Sequence, residues 1–318
     1  MTMLSLPHPD RFRAADNVFP SIDASVQEVL TDDQIRFFLE NGLLVVRNVL
    51  APAELEAMRE QTRPLIEQAL AGGGDPDFFY RNHEETGERV PFRIEFVIDK
   101  TAAGKALLGH PFILRSVERL QGPNFIPTWD ACVFKSPGAG VAIPWHRDAG
   151  TDRTREEIAP IFNVDFYLDE ADATNCLWGI PGTHRLSGER ADERIRELNA
   201  DGEFRIPEDA VPIPMQPGDV IFHNILTIHG SPAARSGLRR VVYYEFRPAE
   251  IESDLGPHTP EYLPLKQGVL RRCLNIRRTM PYAADETPFN YRPTPPFDGP
   301  DPGEEETYRY PHSQYWRA

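Results

Sequence analysis

The rhythm of hydrophobic and polar positions changes along the 318-residue chain, and the first rhythm is helical. Thr31 with Gln34 three residues on forms a capping box, Leu30 and Ile35 can make a hydrophobic staple, and Gly42 closes the segment. This predicts a helix over about 31–41. Leu43-Leu44-Val45-Val46 is too short for another helix and predicts a strand. Pro52 opens a second helix as a first-turn proline, Pro64 is expected to end or kink it, and Gly72-Gly73-Gly74 closes the region. Residues 90–98 alternate apolar with polar, which predicts a strand with Phe92, Ile94 and Phe96 on one face and Arg93 and Glu95 on the other.

From residue 128 the rhythm shortens to β-type runs at 129–135, 141–146, 161–168, 176–180, 211–215, 219–224, 226–230 and 239–247. Turn signals such as Ser136-Pro137-Gly138, Pro181-Gly182-Thr183-His184 and Gln216-Pro217-Gly218-Asp219 separate them. Eight short strands in succession imply a sandwich or a barrel, interrupted by a helical insertion around 188–199. After Arg247 the chain is rich in Pro and Tyr, with a brief helical segment at 266–274, and is expected to lie over the core as an extended strap.

Composition narrows the class. Hydrophobic residues at 40% and charged ones at 26% are ordinary globular usage, whereas 31 prolines are about twice the usual share and disfavour a helical bundle. Lys plus Arg at 34 against Asp plus Glu at 49 gives −15, a field that repels phosphate backbones and anionic lipid. Nucleic acid and membrane are therefore not expected partners, and a neutral or cationic small molecule is favoured. No apolar run reaches the ~18–20 residues of a membrane span, and Met1–Asn17 lacks the apolar stretch of a secretion signal. Cys132, Cys176 and Cys273 are odd in number and far apart, so a reducing, cytoplasmic setting is expected.

The chemistry gathers on the β-rich half. In Ile143-Pro144-Trp145-His146-Arg147-Asp148, His146 and Asp148 are two apart, so an extended chain sends both side chains to one face, where they can meet one metal ion. Such a pair alone carries little weight, since His8-Pro9-Asp10 repeats it in a segment with no assigned role. His229 ends a later apolar run, and two histidines with one carboxylate on neighbouring strands make the facial triad that suits non-haem Fe(II) and leaves positions open. Ten residues on, Arg239 opens a strand where its guanidinium could clamp a carboxylate, with Ser231 on the same face as His229. An iron site beside an inward arginine asks for a bidentate acid cosubstrate, for which 2-oxoglutarate is the obvious candidate.

With these residues in place the chain resembles the phytanoyl-CoA dioxygenase family of Fe(II)/2-oxoglutarate oxygenases, which also contains ectoine hydroxylase. The likeness rests on Asn41 to Leu50 behind the opening helix, the Trp145 to Asp148 segment, the Pro181 to Arg185 turn, Pro217 to Phe222, His229-Gly230-Ser231 and Gly237-Leu238-Arg239. It implies that His146, Asp148 and His229 hold iron, that Arg239 anchors the distal carboxylate of 2-oxoglutarate, with Arg240 the alternative if the register slips by one, and that Ser231 assists. It implies a mainly β fold with flanking helices, a double-stranded β-helix or cupin-like jelly roll. The organisation expected is a single domain over 1–318, with helices and strands at about 25–125, the jelly-roll core at about 128–248 and a Pro-rich C-terminal cover at 249–318. O2 is the expected co-reactant and hydroxylation of a small molecule the default outcome, with release of succinate and CO2. Desaturation, cyclisation and epimerisation remain open.

Two departures matter. Where phytanoyl-CoA dioxygenase presents a Trp on the strand after the HxD segment, this chain has Phe162 to Tyr167, so Asn163, Asp165 and Tyr167 become candidates for substrate or supporting contacts, together with Arg93, Lys135 and Trp145. Trp316-Arg317-Ala318 is not a peroxisomal address. Asp148 is retained where related halogenases carry a small residue, which disfavours halogenation. Against these stand blander readings: Asn163 and Asp165 on a solvated strand face, His223 as a hydrogen-bonded core histidine, His184 as a turn cap, and Trp129, Trp145 and Trp178 as core. Two rival classes remain, a metal-dependent isomerase or hydrolase of cupin type and a non-catalytic binding protein on the same fold.

Overall fold

A computed structural model describes residues 21–24, 27–83, 86–148, 160–234, 237–255 and 261–294. His8-Pro9-Asp10, Met1–Asn17 and Trp316-Arg317-Ala318 lie outside the described residues.

Strand β1 (Ser21–Asp23) leads to helix α1 (Asp32–Asn41), whose start carries the reciprocal Thr31/Gln34 capping box and whose end is Gly42 at φ +75°. Then follow β2 (Leu43–Arg47), α2 (Pro52–Leu70), β3 (Phe78–Asn82), β4 (Arg89–Glu95) and the helices α3 (Val97–Lys100), α4 (Ala102–Leu108) and α5 (Pro111–Gln121). The second half contains β5 (Phe125–Lys135), β6 (Ile143–His146), β7 (Phe162–Tyr167), β8 (Leu177–Gly179), α6 (Gly188–Leu198), β9 (Val211–Ile213), β10 (Val220–Asn224), β11 (His229–Ser231) and β12 (Arg239–Pro248). Helices α7 (Ala249–Leu255) and α8 (Tyr262–Arg278) follow.

The strands form two sheets, one ordered β1-β2-β10-β7-β12-β5-β4-β3 and the other β6-β11-β8-β9, antiparallel throughout except for the β1/β2 pair. This is a jelly roll with helices on the outside, mainly β as expected. Outward side chains of the larger sheet meet the helices: the Tyr244 hydroxyl donates to the Gly104 carbonyl of α4, and Phe166 packs edge-on against Tyr244. Inward side chains of β7 and β12, spaced two apart by the strand period, line a cavity between the sheets.

Four expectations need correction. Helix α2 runs through Pro64 to Leu70, because Met58, Thr62, Ile66 and Ala69 are buried along it and hold both sides of the proline. Strand β4 stops at Glu95, and Phe92 falls in a register shift against β3, where Phe79 pairs with Arg93 and Tyr80 with Pro91. That extra residue turns both Phe92 and Arg93 to the cavity while Ile94 packs with Phe78 and Phe134 on the other side, so Phe92, Ile94 and Phe96 do not share a face. Phe96 instead takes a positive φ ahead of α3. The segment after Arg247 is no simple strap: α8 has 17 residues, and its Tyr262 hydroxyl donates to the Thr128 carbonyl of β5. Among the described residues no helix is long and apolar enough to cross a membrane.

Candidate functional site

The cavity between the sheets has a volume of about 420 Å³ and takes walls from β3, β4, β5, β7, β10 and β12 on one side and β6, β8 and β11 on the other. Strands β6 and β11 are antiparallel neighbours in which His146 and His229 stand directly opposite. Asp148 leaves the end of β6 with its backbone N–H donating to the Ile225 carbonyl, which brings its carboxylate back to the pair. Coordinating atoms of His146, Asp148 and His229 all lie within 4.8 Å of one another. Asp148 Oδ1 is 3.6 Å from His146 Nε2 and 4.0 Å from His229 Nε2.

The other ring nitrogens are committed. His146 Nδ1 donates to the Pro144 carbonyl at 2.8 Å, and His229 Nδ1 to the Thr227 carbonyl at 2.9 Å, which leaves each Nε2 lone pair toward the shared point. Burial keeps the His229 imidazole well below its ordinary value and therefore neutral. Burial alone would raise the Asp148 carboxyl, but the closeness of His146, with His229 and His223 around it, overcomes this and holds it well below the usual carboxylate range. Two imidazole nitrogens and one carboxylate oxygen converging with room beside them form a donor set that fits Fe(II).

Asn163 and Asp165 face the cavity, not solvent. Asn163 Nδ2 donates to Asp148 Oδ2 at 2.8 Å, and Asp165 Oδ2 is 3.4 Å from His223 Nδ1. Arg239 also lines the cavity, is 5% exposed, and its guanidinium lies 5.6 Å from the Tyr167 ring centre. One of its nitrogens donates to the Asn175 carbonyl, whereas Arg239 Nε and the Tyr167 hydroxyl are buried without a hydrogen-bond partner among the described residues. Orphaned buried donors cost free energy until an acceptor arrives, and an acid ligand is such an acceptor. Ser231 lines the same cavity. Arg240 faces the other way, clamped by Asp169 with two contacts of 2.8 Å, and has no access to the cavity.

Two candidates fall away. Trp145, between two inward positions of β6, points outward, stacks on Phe204 and donates to the Arg205 carbonyl. Lys135 is buried against the main chain, its ammonium donating to the carbonyls of Val141 at 2.8 Å and of Pro232. Neither lines the cavity. His184 donates to the Leu39 carbonyl, in keeping with a structural role. His223, expected as a hydrogen-bonded core histidine, lines the cavity with its Nε2 3.2 Å from His229 Nδ1. No signal in its own strand could have found it: only the pairing of β10 with β7, where His223 stands opposite Asn163, puts the two on one face. Arg81 and Tyr243 are further wall residues, of which Tyr243 shares the inward parity of Arg239 and Val241 on β12.

Comparison with known proteins agrees with this geometry. The chain is 25% identical over 269 residues to phytanoyl-CoA dioxygenase domain-containing protein 1 of Danio rerio, covering 68% of this chain and 89% of the relative. It is 28% identical over 228 residues to the methylphosphonate hydroxylase of Gimesia maris, covering 71% and 84%. The crystal structure of EvdMO1 superposes with a TM-score of 0.54 at 30% identity over 67% of this chain, which spans 49% of that longer chain. The model of the family described as phytanoyl-CoA dioxygenase (PhyH) matches residues 38–242, well over half of the 318 residues, and takes in His146, Asp148, His229 and Arg239 together. The chain belongs to the phytanoyl-CoA dioxygenase (PhyH) family.

Proposed function

We propose that the protein is an Fe(II)- and 2-oxoglutarate-dependent oxygenase that hydroxylates a C–H bond of a small molecule. The observation that carries this reading is the convergence of His146, Asp148 and His229 in one cavity with a buried Arg239 whose Nε lacks a partner among the described residues. Membership of the family and the likeness to a relative named as a hydroxylase support it. Bound iron with 2-oxoglutarate supplies the oxidising chemistry, in which O2 and 2-oxoglutarate are consumed, succinate and CO2 are released and a substrate C–H becomes C–OH.

The chain's own residues hold and orient. His146, Asp148 and His229 provide the ligands, and Asn163 fixes Asp148 through its second oxygen. Arg239 binds the far carboxylate of 2-oxoglutarate, and Ser231 and the Tyr167 hydroxyl offer it further donors. Phe92, Val133 and Val241 line the walls and exclude water from the reacting centre. Arg81, Arg93 and Arg147 stand on the walls, Arg93 paired with Glu95 and Arg147 with Asp192, while Asp165 faces His223. Glu95 and Asp192 offset the charges of Arg93 and Arg147, so within the expected range of neutral or cationic substrates a neutral one fits best. Three buried free thiols, Cys132, Cys176 and Cys273, support a reducing compartment, the cytoplasm.

The test is an anaerobic titration of metal-free protein with Fe(II) and then 2-oxoglutarate, followed by visible charge-transfer absorption. The parent is expected to develop the band, Arg239→Ala to need at least 10-fold more 2-oxoglutarate, and His146→Ala to develop none. Stoichiometric iron without a band would overturn the proposal and leave the isomerase, hydrolase and binding-protein readings.

A further inference from the structure

Histidine in an otherwise apolar buried strand needs partners, because taking an imidazole from water without hydrogen bonds is costly. A core histidine commonly finds them in main-chain carbonyls. His223, 2% exposed in the middle of Val220–Asn224, faces side chains of the site with both ring nitrogens. Nδ1 stands 3.4 Å from Asp165 Oδ2, and Nε2 stands 3.2 Å from His229 Nδ1 and 4.0 Å from Asp148 Oδ2. Its ring meets that of His229 edge-on, with centres 4.2 Å apart and planes at 77°.

We infer that Asp165 and His223 are a positioning pair for the metal ligands, an inference that rests on the proposed iron site. A histidine that ligates through Nε2 must carry its proton on Nδ1, and that N–H needs an acceptor. The Nδ1–H of His229 has two, the Thr227 carbonyl and the Nε2 of His223. His223 can accept there only as the tautomer protonated on Nδ1, the nitrogen that faces the Asp165 carboxylate. Asp165 therefore sets the tautomer of His223, and His223 helps set that of His229.

The same ring also bears on Asp148. The two oxygens of that carboxylate have different surroundings: Oδ1 faces the Nε2 atoms of His146 and His229, while Oδ2 accepts from Asn163 and faces His223. Asn163 and His223 together occupy the back of the carboxylate and leave one oxygen to the front. Register supports the grouping, since His223 pairs with Asn163, and Asp165 with Ile221, so that all three polar side chains project from adjacent inward positions of β7 and β10.

Three variants test the pair by metal binding and spectrum. His223→Phe keeps the volume and loses both nitrogens, His223→Gln restores one amide, and Asp165→Asn removes the charge that selects the tautomer. Anaerobic Fe(II) titration is expected to show a 10- to 100-fold weaker affinity for His223→Phe, the range seen when such supporting contacts are lost, with partial recovery in His223→Gln. The charge-transfer band with 2-oxoglutarate is expected to shift in Asp165→Asn, while the metal-free melting temperature stays near that of the parent. Parent-like Fe(II) affinity and an unmoved band in a folded His223→Phe would overturn the inference. Should that variant fail to fold, the same result in both His223→Gln and Asp165→Asn would overturn it. A parent that binds no Fe(II) would instead overturn the underlying iron reading.

Discussion

The ammonium of Lys135 sits among main-chain oxygens of Val141, Ser231 and Pro232 and so ties the loop before β6 to the residues that end β11. Those two strands carry His146 and His229, which makes Lys135 a brace for the site from outside its cavity. Lys135→Met keeps the length of the stem but strands buried carbonyls, and we expect a loss of roughly 2–3 kcal/mol of stability by denaturant unfolding. Parent-like stability would mean that the carbonyls find other donors. At this scale legibility followed distance along the chain. His146 and Asp148 could be recognised because an extended strand places neighbours-but-one together. The partners of Lys135 could not, because Pro232 lies 97 residues away. His223 had been assigned to the core because nothing in its own strand reveals that Asn163 and Asp165 stand next door.

Helix α1 shows how an element far from the cavity bears on it. Its two ends predict different outcomes. Thr31→Ala removes the capping box at the exposed start and should cost about 1 kcal/mol without altering metal binding. Gly42→Ala, at the other end, forces a side chain into a left-handed backbone at φ +75° and places its Cβ 2.2 Å from Thr227 Oγ1. Thr227 also supplies the carbonyl that holds His229 Nδ1, so this variant should lose both stability and iron affinity. Equal effects from the two substitutions, measured by unfolding and Fe(II) titration, would break the link. Most strands and helix α1 were legible because their periods and caps are local. Helix α8 outruns the expected 266–274 at both ends, with Pro264 ahead of that segment and Gly268 inside it. Pro264 lies within the first turn, where no intrahelical donor is lost, and burial of Val269, Leu270, Cys273 and Leu274 outweighs the glycine. The turn of Phe92 toward the cavity was illegible, since a bulge depends on the partner strand.

Over the whole molecule, stability carries an acid group working against the usual trend. Both carboxylate oxygens of Asp99 are buried without a hydrogen-bond partner among the described residues, and burial, with the nearby charge of Asp130, raises its pKa from 3.8 to about 7. A folded-state value above the unfolded one means that the folded chain keeps a proton the unfolded chain has released. This contribution is therefore present below pH 4 and is lost as pH rises toward 7. Asp99→Asn should melt like the parent near pH 4 and about 2–4 °C higher at pH 8. A parent that is the more stable at pH 8 would show that ionised Asp99 is held favourably.

The pairing of His146 with His229 across β6 and β11 also fixes an order of events. Asp148 is two residues from His146, but His229 is 229 − 146 = 83 residues away, and only completion of the jelly roll brings it alongside. An unfolded chain thus offers an ion two adjacent ligands at best, and the third arrives with the closure of a long loop. Loading follows folding. Metal should leave the folding rate nearly unchanged and slow unfolding, because it grips a contact that the chain makes late.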